Sequence, residues 1–283
     1  MELLRQLDLD EIVWRALAED VGHGDVTTAA TVAPGQAGVA RITVKEEEII
    51  FCGGPIFERT LQAAGAEPDI EQISDEGAVL KRGDVAARIS GQLAGLLIGE
   101  RTALNFLQLL SAIATLTRRY VDAVVGTRAK IIDTRKTHPG LRALEKYAVR
   151  IGGGVNHRFG LDSGVLIKDN HIAAAGSITE AVERCRALAP HTLQIEVECE
   201  TLAQVTEAVG ARVGLILLDN MSVSDMRRAR EIAGDSILLE ASGGVRLDTV
   251  RAIAESGADL ISVGALTHSA QAVDLSMRIE AAS

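Results

Sequence analysis

Residues 193–263 read LQIEVECETLAQVTEAVGARVGLILLDNMSVSDMRRAREIAGDSILLEASGGVRLDTVRAIAESGADLISV. Four short apolar runs stand out: Leu193-Gln-Ile-Glu-Val197, Leu215-Ile-Leu-Leu218, Ser236-Ile-Leu-Leu239 and Leu260-Ile-Ser-Val263. Amphipathic patterns separate them at 202–209, 223–233 and 247–256. Apolar strands that alternate with helices form βα units, whose parallel sheet is buried on both faces. Upstream, Ala129-Lys-Ile-Ile132 and Gly164-Val-Leu-Ile167 extend the series, with helical patterns at 141–151 and 178–188. Six such strands predict an α/β barrel, with an open doubly wound sheet as the rival architecture.

Before residue 126 the texture is mixed. Residues 1–20 and 56–64 read as helices, and 38–51 as strand. Residues 75–89 read as paired strands around Lys81-Arg-Gly-Asp84. A long helical pattern covers 94–125. The length, 283 residues, suits two domains or one large barrel.

Composition excludes several classes. Lys plus Arg is 29 against 39 Asp plus Glu, a net charge of −10, and aromatic residues make up 2%. A nucleic-acid binder needs a basic face and stacking rings. Cys52, Cys185 and Cys199 have neither metal-ligand nor redox spacing, and no disulfide framework is expected. The first residues, MELLRQLDLDEIV, lack the apolar core of a signal peptide. The most lipid-like stretch, 93–116, is interrupted by Glu100, Arg101, Asn105 and Gln108. A cytoplasmic protein is expected.

The polar residues at strand ends carry the functional signal. They are Asp133-Thr-Arg-Lys136, Lys168-Asp-Asn-His171, Glu198, Asp219-Asn220, Glu240-Ala-Ser-Gly-Gly244 and Gly264. Glu198, Asp219, Glu240 and Gly264 are spaced by 21, 21 and 24 residues, one βα unit each. In a barrel such side chains meet at the C-terminal face of the strands, where barrel enzymes keep their chemistry. From Arg135 to Lys168 there are seven Lys or Arg and two acids, Glu145 and Asp162. Arg142, Lys146 and Arg150 read as the solvated outer face of a helix. Arg135, Lys136, His157, Arg158 and Lys168 sit at strand ends or in glycine-rich loops and suit a small polyanion. The turns Ser242-Gly-Gly-Val245 and Val263-Gly-Ala265 offer backbone N–H groups to a phosphate. Glu198 and Asp219 end adjacent strands, so they either share a Mg²⁺ ion or pair with basic groups across the barrel mouth.

Longer strings carry a resemblance. Glu19-Asp-Val-Gly-His-Gly-Asp-Val-Thr27, Glu100-Arg-Thr-Ala-Leu-Asn105, Asp133-Thr-Arg-Lys-Thr-His-Pro-Gly-Leu-Arg142, Gly152-Gly-Gly-Val-Asn-His-Arg158, Ile167-Lys-Asp-Asn-His171, Glu196-Val-Glu198, Leu218-Asp-Asn220 and Ala241-Ser-Gly-Gly244 resemble the quinolinate phosphoribosyltransferases, in order along nearly the whole chain.

That resemblance implies an α/β protein of the type II phosphoribosyltransferase kind. An N-terminal α/β sandwich (1–111) would precede an incomplete, about seven-stranded α/β barrel (112–269), and a C-terminal helix (270–283) would return to the first domain. It implies a homodimer in which Arg101 reaches the partner's site. It further implies transfer of phosphoribosyl from phosphoribosyl pyrophosphate to quinolinate, with loss of CO₂. Arg101, Arg135, His157, Arg158 and Lys168 would bind quinolinate. Thr134, Lys136, Glu198, Asp219, Ser242, Gly243, Gly244, Val263, Gly264 and Ala265 would hold phosphoribosyl pyrophosphate. Glu198 and Asp219 would bind Mg²⁺, and Glu198, Asp219, Lys136 and Lys168 would carry the catalysis. His138 and His171 are given no role. Rival readings are a paralogue with another anionic ligand, a Schiff-base aldolase using Lys168, and a carrier module with its lysine at Lys81.

Overall fold

The computed structural model describes residues 9–280. The chain divides into two compact units. The first runs to Arg118 and adds Thr137–Gly153 and the segment from Ser269. The second comprises Arg119–Lys136 and Gly154–His268.

The first unit begins with α1 (Leu9–Val21) and α2 (Val26–Thr31). The Asp25 carboxylate starts α2 by accepting from the N–H groups of Thr27 and Thr28, both at 3.0 Å. Next come β1 (Ala37–Val44), β2 (Glu48–Ile50), α3 (Gly54–Ala63), β3 (Asp69–Ile73), β4 (Val79–Lys81), β5 (Val85–Gln92) and α4 (Leu93–Ala123). In β1, Ala40, Ile42 and Val44 are buried and alternate with more exposed neighbours. This period of two turns one face of the sheet onto Phe57 and Leu61 of α3 and Leu96, Leu104 and Leu107 of α4.

The contact between α4 and the turn after α3 depends on glycine. A Cβ on Gly95 would lie 2.2 Å from the Ala66 nitrogen, and one on Gly91 2.4 Å from the Ala66 carbonyl oxygen. Backbone cannot yield there as a flexible side chain can. Gly95→Ala is expected to destabilise the protein by about 1–3 kcal/mol, read as a lower denaturant midpoint. An unchanged midpoint would contradict the packing described.

The second unit holds a parallel sheet of β6 (Lys130–Ile132), β7 (Val165–Ile167), β8 (Ile195–Cys199), β9 (Leu215–Asp219), β10 (Leu238–Ser242) and β11 (Leu260–Ser262), in the order β6-β11-β10-β9-β8-β7. A single parallel bridge from Ile132 to Val155 is all that remains of a seventh strand, so the barrel is open between Val155 and β7. Between β6 and β7 the chain forms α5 (Arg142–Ile151), which belongs to the first unit. The later helices are α6 (Asp169–Ala175), α7 (Ile178–Leu188), α8 (Leu202–Gly210), α9 (Val223–Ala233), α10 (Val250–Ala254) and α11 (Ala265–His268). Hydroxyl side chains start three of them: Ser177, Thr201 and Ser222 accept from the third N–H of α7, α8 and α9.

Several expectations are corrected. The segment expected as a C-terminal helix contains a strand, β12 (Leu275–Glu280), antiparallel to β1. Leu275 and Met277 alternate with Ser276 and Arg278, which is strand periodicity, and the free edge of β1 supplies the partner. The last residues of that expected helix, 281–283, lie outside the described residues, as do residues 1–8 of the first one. The paired strands expected at 75–89 do not pair with each other. β4 joins β2, while β5 lies between β1 and β3, which removes the basis of a carrier hairpin at Lys81. Within the first unit, α5 packs beside α4. There Tyr147 donates to Glu76 at 2.9 Å, and a Cβ on Gly152 would meet the Ala114 carbonyl at 2.5 Å. Lys146, expected on a solvated face, is buried, whereas Arg150 is exposed. Among the described residues no helix is long and apolar enough to cross a membrane.

Candidate active site

Parallel pairing fixes which strand residues face the inside of the open barrel. Glu198 on β8 stands beside Leu217 on β9, and Asp219 stands beside Ser242 on β10. Side chains alternate along each strand, so Glu196 and Glu198 share a face, as do Glu240 and Ser242. A cavity of about 500 Å³ opens at these strand ends, lined by Lys168, Glu198, Asp219 and Ser242 together with the Thr134–Lys136 loop, His157 and Arg158. The equal spacing of Glu198, Asp219 and Glu240 is therefore misleading by two residues. Ser242 is the neighbour of Asp219, and Glu240 sits deeper, 1% exposed.

Positive charge gathers on one wall. Lys168 follows β7 and forms an ion pair with Glu198. The Arg158 Nη1 donates to the Gly164 carbonyl at 2.8 Å, while its Nε is buried without a hydrogen-bond partner. Burial, and next the Arg135 guanidinium, pull the Arg158 pKa below its ordinary value. Two arginines that repel each other beside an unsatisfied N–H form a site that favours an anion.

Buried acids lie beneath that wall. Asp133, fully buried, accepts from the Asn156 amide at 2.7 Å and from the His157 backbone N–H at 2.8 Å. The Arg158 N–H donates to His157 Nδ1 at 2.7 Å. An Nδ1 that accepts this bond carries no proton, which leaves Nε2 as the ring's N–H. Nε2 lies 3.3 Å from Glu196 and 3.7 Å from Glu240. Burial first, and then the nearby Glu196 carboxylate, push the Glu240 pKa well up.

The opposite wall is made of turns. Gly243 has φ +97° and Gly244 φ +59°, conformations that L side chains adopt only under strain. A Cβ on Gly243 would lie 2.2 Å from Asn220 Oδ1. Asn220 itself has φ +54°, and its amide donates to Asp219 at 2.8 Å. Gly264 faces Lys136: a Cβ there would meet the Lys136 Cδ and the His268 Nε2, each at 3.1 Å. The Lys136 loop is held by Thr134, whose Oγ1 accepts from the Lys136 N–H at 3.0 Å, and by Thr267, whose hydroxyl donates to the Lys136 carbonyl at 2.7 Å. Val263 is buried, and its N–H donates to the Ile132 carbonyl at 3.0 Å; Ala265 opens α11. Gly243→Ala is expected to displace Asn220 and Asp219, at a cost of about 1–3 kcal/mol. If this turn holds a phosphate, as the resemblance implies, phosphoribosyl pyrophosphate should then bind more weakly in a direct titration, and unaltered binding would contradict that role.

Most of the strand-end residues expected from the sequence thus converge on one cavity within the second unit. Arg101 is not among them: it is an exposed residue of α4 in the first unit. The His138 ring nitrogen Nδ1 lies 2.5 Å from Glu145. His171 accepts the Lys168 N–H at 2.9 Å and so closes the first turn of α6. The sequence assigns no role to Asn220, Asp133, Glu196 or His268. The alternation Glu196-Val-Glu198 was the available signal for Glu196, since a strand residue two before a site residue points the same way.

Comparison with known proteins agrees with this arrangement. The sequence model for the quinolinate phosphoribosyl transferase N-terminal domain matches residues 25–111, and that for the C-terminal domain matches 113–278. The chain is 42% identical to a probable nicotinate-nucleotide pyrophosphorylase (carboxylating) of Bacillus subtilis, covering 98% of this chain and 95% of the relative. It is 43% identical to the nicotinate-nucleotide pyrophosphorylase (carboxylating) of Mycobacterium leprae, with 94% and 95% covered. The crystal structure of NadC from Streptococcus pyogenes superposes with a TM-score of 0.91 at 41% identity, covering 95% of both chains. The nicotinate-nucleotide pyrophosphorylase structure from Ehrlichia chaffeensis gives 0.92 at 40%, covering 97% of this chain and all of the other. The geometry of the cavity and these matches together make the chain a member of the quinolinate phosphoribosyltransferase family.

Proposed function

We propose that this protein transfers the phosphoribosyl group of phosphoribosyl pyrophosphate to quinolinate, giving nicotinate mononucleotide, pyrophosphate and CO₂ in NAD biosynthesis. The observation that carries the reading is the mutually repelling pair Arg135 and Arg158, which line one wall of a cavity with acids and glycine turns on its other walls.

Quinolinate is a dianion. Arg135, Arg158 and Lys168 hold its carboxylates beside His157, and Arg101 of the partner subunit completes the site in a homodimer. Lys136 faces the departing pyrophosphate. The 5′-phosphate rests on the Ser242–Gly244 and Val263–Ala265 turns, and Thr134 supports the Lys136 loop. Glu198 and Asp219 accept hydrogen bonds from the ribose and stabilise positive charge developing at C1. Their oxygens, at neighbouring strand ends, form a hard donor set that suits Mg²⁺, which when bound neutralises the charge of the pyrophosphate.

The ring nitrogen of quinolinate forms a bond to C1 as the bond from C1 to pyrophosphate breaks. As CO₂ leaves, the electron pair of the bond to the 2-carboxylate stays on C2, stabilised by the adjacent positively charged nitrogen, and a proton from solvent then bonds to C2. The positively charged ring supplies that stabilisation, so the side chains act by positioning and electrostatics.

The test compares acceptors. With phosphoribosyl pyrophosphate and Mg²⁺, quinolinate should yield nicotinate mononucleotide, and nicotinate, which lacks the 2-carboxylate, should yield none. Equal use of nicotinate, or no product from quinolinate, would overturn the reading.

A further inference from the structure

Below the substrate cavity lies a second one of about 230 Å³, lined by Glu196, Glu240, Gln194 and the apolar side chains of Ile132, Leu215 and Leu260. His157 and Glu240 border both cavities. Glu240 is 1% exposed and Glu196 4% exposed. Both carboxylate oxygens of Glu240 lack a hydrogen-bond partner, as does one of Glu196. Two buried acids cost stability that apolar residues of the same size would not. Neither is placed to touch the substrates in the scheme above, so they call for another explanation.

One explanation is a metal. His157, Glu196 and Glu240 bring one potential ligand atom each within 4.8 Å of one another. The tautomer argues against it. A metal at Nε2 needs the lone pair there, which moves the ring proton to Nδ1. Nδ1 already accepts the Arg158 N–H at 2.7 Å, and two hydrogens would then face each other. Glu196 and Glu240 instead sit where the Nε2 proton of the neutral ring points.

We propose that Glu196 and Glu240 are positioning residues for anion recognition: their paired carboxyl groups form the floor that orients the His157 ring, Glu196 nearest its Nε2–H and Glu240 acting on it electrostatically from just beyond hydrogen-bond reach, and the ring's Nδ1 in turn fixes the backbone of Arg158. The chain of contacts is continuous. Glu196 and Glu240 face Nε2, Nδ1 accepts from Arg158, and the Arg158 guanidinium is steadied by the Gly164 carbonyl. Asp133 locks the same segment from the other side through Asn156 and the His157 N–H. His157 therefore enters the site as a fixed neutral ring, and the charge seen by the substrate comes from the arginines and Lys168. This inference rests on the proposed use of quinolinate as the anion.

Two measurements test it. The first is the long-range ¹H–¹⁵N correlation of the His157 ring in the intact protein, assigned by its loss in His157→Asn. Only Nε2 should carry a proton, with and without quinolinate. A ring protonated at both nitrogens in the quinolinate complex, or at Nδ1 alone in either state, would overturn the proposal. The second compares Glu240→Gln and Glu240→Leu with the wild type. Both should raise KM for quinolinate roughly 10- to 100-fold, with KM for phosphoribosyl pyrophosphate within about twofold. Glu240→Leu should fold at least as stably as the wild type. Folded variants with an unchanged quinolinate KM would also overturn it. The ring measurement needs no turnover, so failure of the wild type to use quinolinate would count against the proposed function while the tautomer is still read.

Discussion

Arg158→Ala and Arg135→Ala should each lose quinolinate binding by roughly 30- to 4,000-fold, the equivalent of about 2–5 kcal/mol for a desolvated, charge-assisted contact. Arg158 carries the stronger expectation. It is partly buried and repelled by Arg135, so an anion between the two guanidinium groups relieves that repulsion. Phosphoribosyl pyrophosphate should bind these variants nearly as it binds the wild type. Glu198→Ala and Asp219→Ala should show the reverse pattern, losing phosphoribosyl pyrophosphate and keeping quinolinate. Glu198→Ala also leaves Lys168 without its ion-pair partner; the freed ammonium is available to the anion, so quinolinate binding should not fall. Calorimetric titration of each ligand into each variant separates the two groups. Equal loss of both ligands in all four folded variants would contradict the division of the cavity into a cationic wall and an acidic one.

If the protein works as the homodimer proposed above, Arg101→Ala should be nearly inactive, and mixing it with inactive Lys168→Ala should restore activity. Arg101 is exposed on α4, in the unit that does not contain the cavity. If each site borrows this arginine from its partner, a mixed dimer holds one site with both residues intact and one with both missing. Activity should then approach about half of native per mixed dimer. Subunit exchange is checked by mass spectrometry of differently labelled chains. Demonstrated exchange with no recovery would show that Arg101 does not serve the partner's site.

The βα alternation after residue 126 was legible because parallel strands buried on both faces read as unbroken apolar runs. α7 and α9 lie at the boundaries their periodicity predicts, 178–188 and 223–233. β10 begins two residues later than its apolar run, at Leu238, because the sheet register rather than hydrophobicity sets where pairing starts. The same register hid the depth of Glu240. Pairing partners in the first unit were illegible for a related reason. β4 and β5 flank a tight turn yet lie in different sheets, and sequence proximity carries no information about which edge a strand joins. β12 was misjudged although Leu275 and Met277 alternate with polar neighbours, since its partner β1 lies more than 200 residues earlier. The cationic wall was legible from Arg135, Arg158 and Lys168. Asp133 and Glu240 stand among the strand-end residues in the sequence, but their depth and that of Glu196 do not show there, because a carboxylate next to an apolar strand residue reads equally well as a solvated strand edge.

Release of labelled CO₂ addresses the central claim most directly. Quinolinate carrying ¹³C in its 2-carboxylate should release ¹³CO₂ only when phosphoribosyl pyrophosphate and Mg²⁺ are both present, in equal amounts with pyrophosphate and nicotinate mononucleotide. Label in the 3-carboxylate should stay in the nucleotide. Release of CO₂ without phosphoribosyl pyrophosphate, or pyrophosphate formed without CO₂ or nucleotide, would contradict a reaction in which ribosylation gives the ring the positive charge that stabilises the electron pair left by CO₂.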